Sequence, residues 1–334
     1  MLGWFKRRKA KESAHPPSTK EVAAATEQLP RPTLAPPDES LDVARDFFAL
    51  LLDADTVSQR ALVKLEIEAL RRIGDTLRNS TSLGRQVPRL PELLPRLMRS
   101  LHQGKEAVVE LARQISQDPT MVTEILRTAN SPYYRTRTKI TSIERAIVVL
   151  GDGGVRETIA RIAIRPVMEM GEGFYSRTLA PRLWEQANKC AVAAGALAEK
   201  SGEDRFHAFL AGLTHNVGST IFFRLLAREL GNARPPVCEG FRGVVEASVP
   251  LLSCRIAYEW ELPDPVVVAL NPKNRRHALR RVVTAAERLA QVHTLIGAER
   301  YARDLVDSRW IEDEALSLHQ AAAFAELDRY APNG

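Results

Sequence analysis

Apolar residues recur at helical spacing over most of the chain beyond residue 38. Leu41, Ala44, Phe47, Phe48, Leu51 and Leu52 form one such stripe, and Val57, Leu62, Leu65, Ala69 and Ile73 a second. They predict two amphipathic helices, the second ending at Gly74 or shortly after. A proline-punctuated stretch, Val87 to Pro95, follows. Asp118-Pro119 reads as an N-cap with proline at the first helical position, opening a helix striped by Val122, Ile125, Leu126 and Ala129. Thr141 with Glu144 reads as a capping box for Ile143 to Leu150, which Gly151 stops. Val155, Ile159, Ile162 and Ala163 mark the next helix. Trp184, Ala187, Ala191, Ala194 and Ala198 mark a long one that ends near Gly202. Further helices are predicted over Phe206 to Leu213, Ser219 to Leu230 with Gly231 as a stop, and Leu251 to Trp260. The last are predicted over roughly 277–297, 299–308 and 312–328. Alternating apolar and polar runs with turn dipeptides are missing, and no repeat of fixed period is visible. The expected fold class is all-α.

Residues 10–38 break this pattern. They are rich in Pro, Ala, Ser, Thr and charge, so residues 1–37 are expected to form a disordered, basic, proline-rich tail and linker. Of the formal charge of +6 on 334 residues, +4 lies in that tail: Lys6, Arg7, Arg8, Lys9, Lys11, Lys20 and Arg31 against Glu12, Glu21 and Glu27. The body is nearly neutral, which disfavours a surface that coats nucleic acid as a whole. Trp4 and Phe5 beside Lys6 to Lys9 suit either weak contact with an anionic membrane surface or a solvated terminus. No segment reaches the apolar length of a membrane span, and the start is too short for a secretory signal. Cys190, Cys238 and Cys254 are odd in number and far apart, which excludes a disulfide framework or a cysteine zinc site and points to a reducing cytoplasm.

One element carries candidate chemistry: Leu213-Thr214-His215-Asn216-Val217-Gly218, between two predicted helices. In helical phosphohydrolases a His-Asp doublet at such a junction binds a divalent metal, whose bound water becomes the nucleophile. Here the carboxylate is replaced by Asn216, a neutral and much poorer ligand. The upstream helix, Leu183-Trp184-Glu185-Gln186-Ala187-Asn188, carries no histidine. His15, His102, His207, His277, His293 and His319 form no spaced ligand set with His215. A hydrogen-bonded interhelical histidine is the expectation, with no metal and no cofactor.

Several ordered motifs resemble a known family. They are Ile115-Ser116-Gln117-Asp118-Pro119, Leu126-Arg127-Thr128-Ala129-Asn130-Ser131, Ile140 to Ile147 and Leu150-Gly151. Phe209 to Leu213 before His215, and Trp260-Glu261-Leu262-Pro263, continue the series. Together, over residues 84–275, the chain is similar to the HDOD family, the HD-related output domains of bacterial signalling proteins. The resemblance implies a multi-helical HD-like bundle, with a helical extension at 38–83 and C-terminal helices at 276–334. It also implies that Gln186, His215, Asn216 and Glu287 stand where HD enzymes hold their metal, with His215 alone unchanged. The family's common histidine pair falls near Asn271-Pro272. The implied role is a non-enzymatic regulatory scaffold whose partners are signalling proteins, with a residual metal-dependent phosphohydrolase as the enzymatic alternative. Oligomeric state is left open.

Two local clusters suit interaction patches. Tyr133, Tyr134, Arg135, Arg137 and Lys139 interleave aromatics and bases, as nucleotide and single-stranded nucleic-acid sites do, or serve as framework. Lys273, Arg275, Arg276, Arg280 and Arg281 make an acid-free basic run, a candidate anion or acidic-partner site or a solvated face. Both would serve a sensor of a nucleotide second messenger or of nucleic acid.

Overall fold

The computed structural model describes residues 15–27, 41–79, 84–87, 119–134, 136–169, 173–231, 233–307 and 310–330. Its α-helices are α1 (Thr19–Glu27), α2 (Val43–Leu51), α3 (Lys64–Arg78), α4 (Pro119–Ala129) and α5 (Ile143–Met168). There follow α6 (Ala180–Ser201), α7 (Arg205–Thr214), α8 (Gly218–Glu229), α9 (Glu239–Glu259), α10 (Asp264–Leu270) and α11 (Ala278–Gly297). Short α12 (Glu314–Ser317) and α13 (Gln320–Arg329) end the series. Among the described residues the only β-type pairing is an isolated parallel bridge between Ser58 and Cys238. The fold is all-α.

Helix α6 is the central post, packed by α7, α11 and α13. Its alanines let neighbours approach closely: Ala187, Ala191, Ala193, Ala194 and Ala198 are fully buried. The closest approach is made by Gly212 of α7. A Cβ there would lie 2.8 Å from the Ala191 Cα and the Cys190 carbonyl oxygen. A second close crossing joins α8 to α9, where a Cβ on Gly218 would lie 2.5 Å from the Val249 carbonyl oxygen. The Gly218 amide donates to Ser253 Oγ at 2.9 Å in the same crossing. Large side chains fill what lies beyond: Phe222, Phe223 and Phe241 make a ring cluster that Phe48 of α2 joins, 6.2 Å from Phe241.

Several sequence expectations are corrected. Within the expected tail and linker, residues 15–27 are ordered: α1 buries Val22 and Ala23 completely against α3 and α9. Its Thr26 hydroxyl sits 3.0 Å from Ser248 Oγ. The remainder of 1–37 lies outside the described residues. Helix α3 begins only at Lys64, after Val57 and Leu62, and ends shortly past Gly74, at Arg78; Gly74 faces the Glu27 side chain and Arg78 pairs with Glu27. The cap of α5 is Ser142, whose hydroxyl accepts from the Arg145 amide, rather than Thr141. Gly151 does interrupt that helix (φ 63°, ψ 178°), but as a kink, and α5 resumes after it. Helix α9 begins twelve residues before Leu251 and carries Pro250 inside it. The expected 299–308 helix is a single 3₁₀ stretch, Arg303–Asp307, and 312–328 is divided at His319 into α12 and α13. At the start of α13 the Trp310 amide donates to the Gln320 side-chain oxygen at 2.9 Å.

The C-terminal helices are tied back by His293 of α11, whose Nε2 lies 3.3 Å from Asp328 of α13. Burial, reinforced by the Lys189 ammonium of α6, pushes its pKa down to about 4 from 6.5, against the raising effect of Asp328. Below pH 6.5 the unfolded chain therefore binds this proton more readily than the folded one, so stability is lost as pH falls toward 4. Thermal unfolding should show the midpoint dropping across that window, with a shallower slope in His293→Gln. At the α8–α9 crossing, Gly218→Ala should cost about 1–3 kcal/mol in urea unfolding, because both backbones are in contact. Gly153→Ala, in open space on α5, should be neutral or stabilise by about 0.5–1 kcal/mol.

Candidate functional site

The histidine turn lies between the two glycine crossings. Gly212 holds α7 on α6, Gly218 holds α8 on α9, and His215 and Asn216 fill the turn between. His215 is only 8% exposed, with Nδ1 2.6 Å from the Gly212 carbonyl oxygen. A carbonyl oxygen can only accept, so Nδ1 carries the proton of this bond. Asn216 donates through Nδ2 to the Leu183 carbonyl at 3.0 Å, which anchors the turn to the start of α6. Gln186, one turn on, donates to the backbone carbonyl of Glu287 at 3.3 Å. The tertiary fold thus joins Gln186 to Glu287 and Asn216 to the α6 helix that carries Gln186.

The donor set does not fit a divalent ion. It holds one imidazole, two neutral amides and Glu287. Among the described residues no group of three His, Cys, Asp or Glu side chains could hold a metal. The amides are committed through nitrogen, and Gln186 Oε1 and Asn216 Oδ1 are buried without a protein hydrogen-bond partner. Cys190, fully buried beside this position, has its thiol pushed up by burial and then by Glu287. Burial likewise raises Cys254 to about 12, so neither supplies a thiolate near neutral pH. At Asn271 the side-chain oxygen accepts from the Lys273 amide at 3.0 Å, while Nδ2 donates to the His15 carbonyl at 3.2 Å. The N-terminal segment therefore packs on the loop where the family's histidine pair would stand.

The aromatic loop has a different environment. Asn130 clamps its base: Nδ2 donates to the Leu126 and Ile140 carbonyls at 2.8 Å, and Oδ1 accepts from the Ile140 amide at 2.8 Å. Tyr133 and Tyr134 pack edge to face, 5.0 Å between centres, and burial pushes both phenols up to about 12. With Lys139 they line a cavity of about 1020 Å³ between α4, α5 and α6, closed on one side by Tyr330. Arg137 is exposed, and Arg135 lies outside the described residues. Sequence reasoning missed the other wall. Arg161 of α5 donates through Nε to Asn188 Oδ1 at 3.0 Å, and its guanidinium lies 4.8 Å from the Phe209 ring and 5.4 Å from that of Tyr330. Trp184 and Asn188, one turn apart on α6, complete it. Their helical spacing was visible, but it also fits plain core.

The basic run at 273–281 is partly neutralised by distant residues. Lys273 pairs with Glu21 of α1 and Arg281 with Asp313, while Arg280 reaches the Ala269 carbonyl at 3.4 Å. Arg275 and Arg276 are exposed on the loop before α11.

Comparisons with known proteins agree with this architecture. A solved HDOD domain protein of unknown function from Geobacter sulfurreducens superposes with a TM-score of 0.54 at 21% identity, covering 74% of this chain and 93% of its own. A candidate phosphohydrolase from Shewanella amazonensis SB2B gives 0.52 at 19% identity, covering 75% and 98%. At such identities the likeness is one of fold. An uncharacterized protein of Treponema pallidum (strain Nichols) is 22% identical over 240 residues, which are 69% of this chain and 45% of that protein. The chain thus spans less than half the length of that curated relative. The family model for the HDOD domain matches residues 87–275, more than half of the sequence. With the helical bundle and the substituted histidine turn in place, the chain belongs to the HDOD family.

Proposed function

We propose that the protein is a non-enzymatic signal-transduction scaffold that acts through protein contacts. The observation that carries this reading is the histidine turn, where His215 stands with the neutral amides of Asn216 and Gln186 and, among the described residues, no three His, Cys, Asp or Glu side chains come together to hold a metal. Hydrolysis by a metal-bound water needs at least three ligands holding the ion, and this donor set supplies too few. The bundle itself is intact, so the loss concerns chemistry and not the fold. Among the described residues no helix is long and apolar enough to cross a membrane, which suits a partner met in solution. Arg275 and Arg276, exposed and outside the ion pairs that engage Lys273 and Arg281, are the proposed contact for an acidic partner surface.

The purified 334-residue chain should contain no stoichiometric divalent metal. It should not turn over bis(p-nitrophenyl) phosphate with added manganese or magnesium. His215→Gln, which takes away the last imidazole, should leave partner capture from native extract unchanged. Arg275→Glu with Arg276→Glu should reduce that capture while leaving the far-UV spectrum intact. Metal-dependent turnover that disappears in His215→Gln would overturn the scaffold reading.

A further inference from the structure

The cavity behind the aromatic loop has a chemistry of its own. Its walls carry Tyr133, Tyr134, Trp184 and Tyr330, four π faces or edges around one space. At about 1020 Å³ it lies at the upper end of the range for sites of small molecules, roughly 300–1,000 Å³. Its lining also carries many polar and charged side chains, several of them engaged within the fold. Asn130 is spent on the loop clamp, and Thr158 donates to the Gly154 carbonyl at 2.7 Å.

The charges are unequal once pairs are assigned. Four cations line the cavity: Arg127, Lys139, Arg161 and Arg165. Arg127 takes Glu124, and Arg165 takes Glu169 at 2.7 Å with Glu124 at 3.7 Å. The third lining carboxylate, Glu157, pairs with Arg205 at 3.1 Å. Arg161 and Lys139 are then left without a carboxylate among the described residues. Arg161 is held in place by Asn188, itself 2% exposed, through its Nε alone. Its terminal nitrogens retain their donors for an acceptor from outside the protein. Two uncompensated positive charges match a phosphate monoester, which carries about −1.5 to −2 near neutral pH. Aromatic walls match a planar ring, and stacking of a base on an aromatic side chain contributes about 1–3 kcal/mol.

We propose that this cavity binds a nucleoside monophosphate, with its base among the aromatic walls and its phosphate on Arg161 and Lys139. The inference rests on the cavity and not on the scaffold reading, so the metal and turnover results leave it untouched. It gives the fold an entry point for a small-molecule signal at the junction of α4, α5 and α6.

Calorimetric titration of the 334-residue chain at low salt tests it, with AMP and GMP as ligands. Adenosine, ribose 5-phosphate and inorganic phosphate serve as fragments. At least one nucleotide should bind, and each fragment should bind more weakly than that nucleotide. Arg161→Met keeps an aliphatic stem against Phe209 and should weaken binding about tenfold or more, the scale of a charge-assisted pair. Lys139→Ala is a change at an exposed position and should weaken binding about threefold while flattening its salt dependence. It keeps the test open if Arg161→Met fails to fold. No binding of either nucleotide at millimolar concentration would overturn the proposal. So would adenosine or ribose 5-phosphate binding as tightly as the nucleotide, or affinity unchanged in folded variants of Arg161 and Lys139.

Discussion

Two backbone-to-backbone contacts govern this structure: α7 on α6 at Gly212, and α8 on α9 at Gly218. Neither position has room for a side chain, so the helices meet at their main chains and the turn between them is pinned at both ends. That turn carries His215 and Asn216, and its hydrogen bonds to Gly212 and Leu183 follow from where the crossings put it. The alanine-rich face of α6 serves the same end, because small side chains let α7 and α11 close on it at core density. A cluster of large rings, Phe222, Phe223 and Phe241, packs beyond the crossings.

Around this centre the chain's ends are fastened by long-range polar contacts. Asp53 takes both Arg182 and Arg234 at 2.9 Å, and the Arg182 guanidinium holds its carboxyl below the usual carboxylate range. Arg300 donates to the Ala54 carbonyl at 2.6 Å and to that of Asp55 at 3.1 Å. Such exposed pairs contribute little energy individually. Their value is geometric, since they fix how the helices before residue 84 wrap the bundle that Val22, Phe48 and Leu52 already help to bury. The two polar sites in the middle differ in kind. At the histidine turn the Asn216 and Gln186 amide nitrogens are satisfied by backbone, whereas in the cavity an arginine keeps its terminal donors.

Much of the helix pattern was readable because caps and stripes are local. Gly202 ends α6 in the left-handed region, at φ 78°, where the sequence placed the stop. Ser142 and Thr141 differ by one residue, and hydrogen-bond geometry had to choose between them. Helix α1 was read as linker for a physical reason: Val22 is the only large apolar residue between Thr19 and Glu27. It orders because α3 and α9 present a groove for Val22 and Ala23, and local composition contains no record of that groove. Only Leu251 to Trp260 was legible as helix, yet α9 runs from Glu239 through Pro250, held by burial of Val244, Val245, Ser248 and Val249 on the turns before it.

The amino-acid sequence by itself determined the all-helical class, most helix limits, the family pattern, and the absence of a carboxylate at Asn216 and an imidazole at Gln186. Each is a statement about residue type at one position or about spacing within one helix. Tertiary structure decided which charges are left over. Lys273 and Arg281 belong to one basic run in the sequence, but Glu21 and Asp313 reach them from the far ends of the chain. Arg161 carries no such mark in the sequence, and it stands out only because α6 and Tyr330 form a wall around it and no carboxylate among the described residues pairs with it. Charge is a property of the residue, whereas its compensation depends on distance through space, and only the folded chain sets that distance.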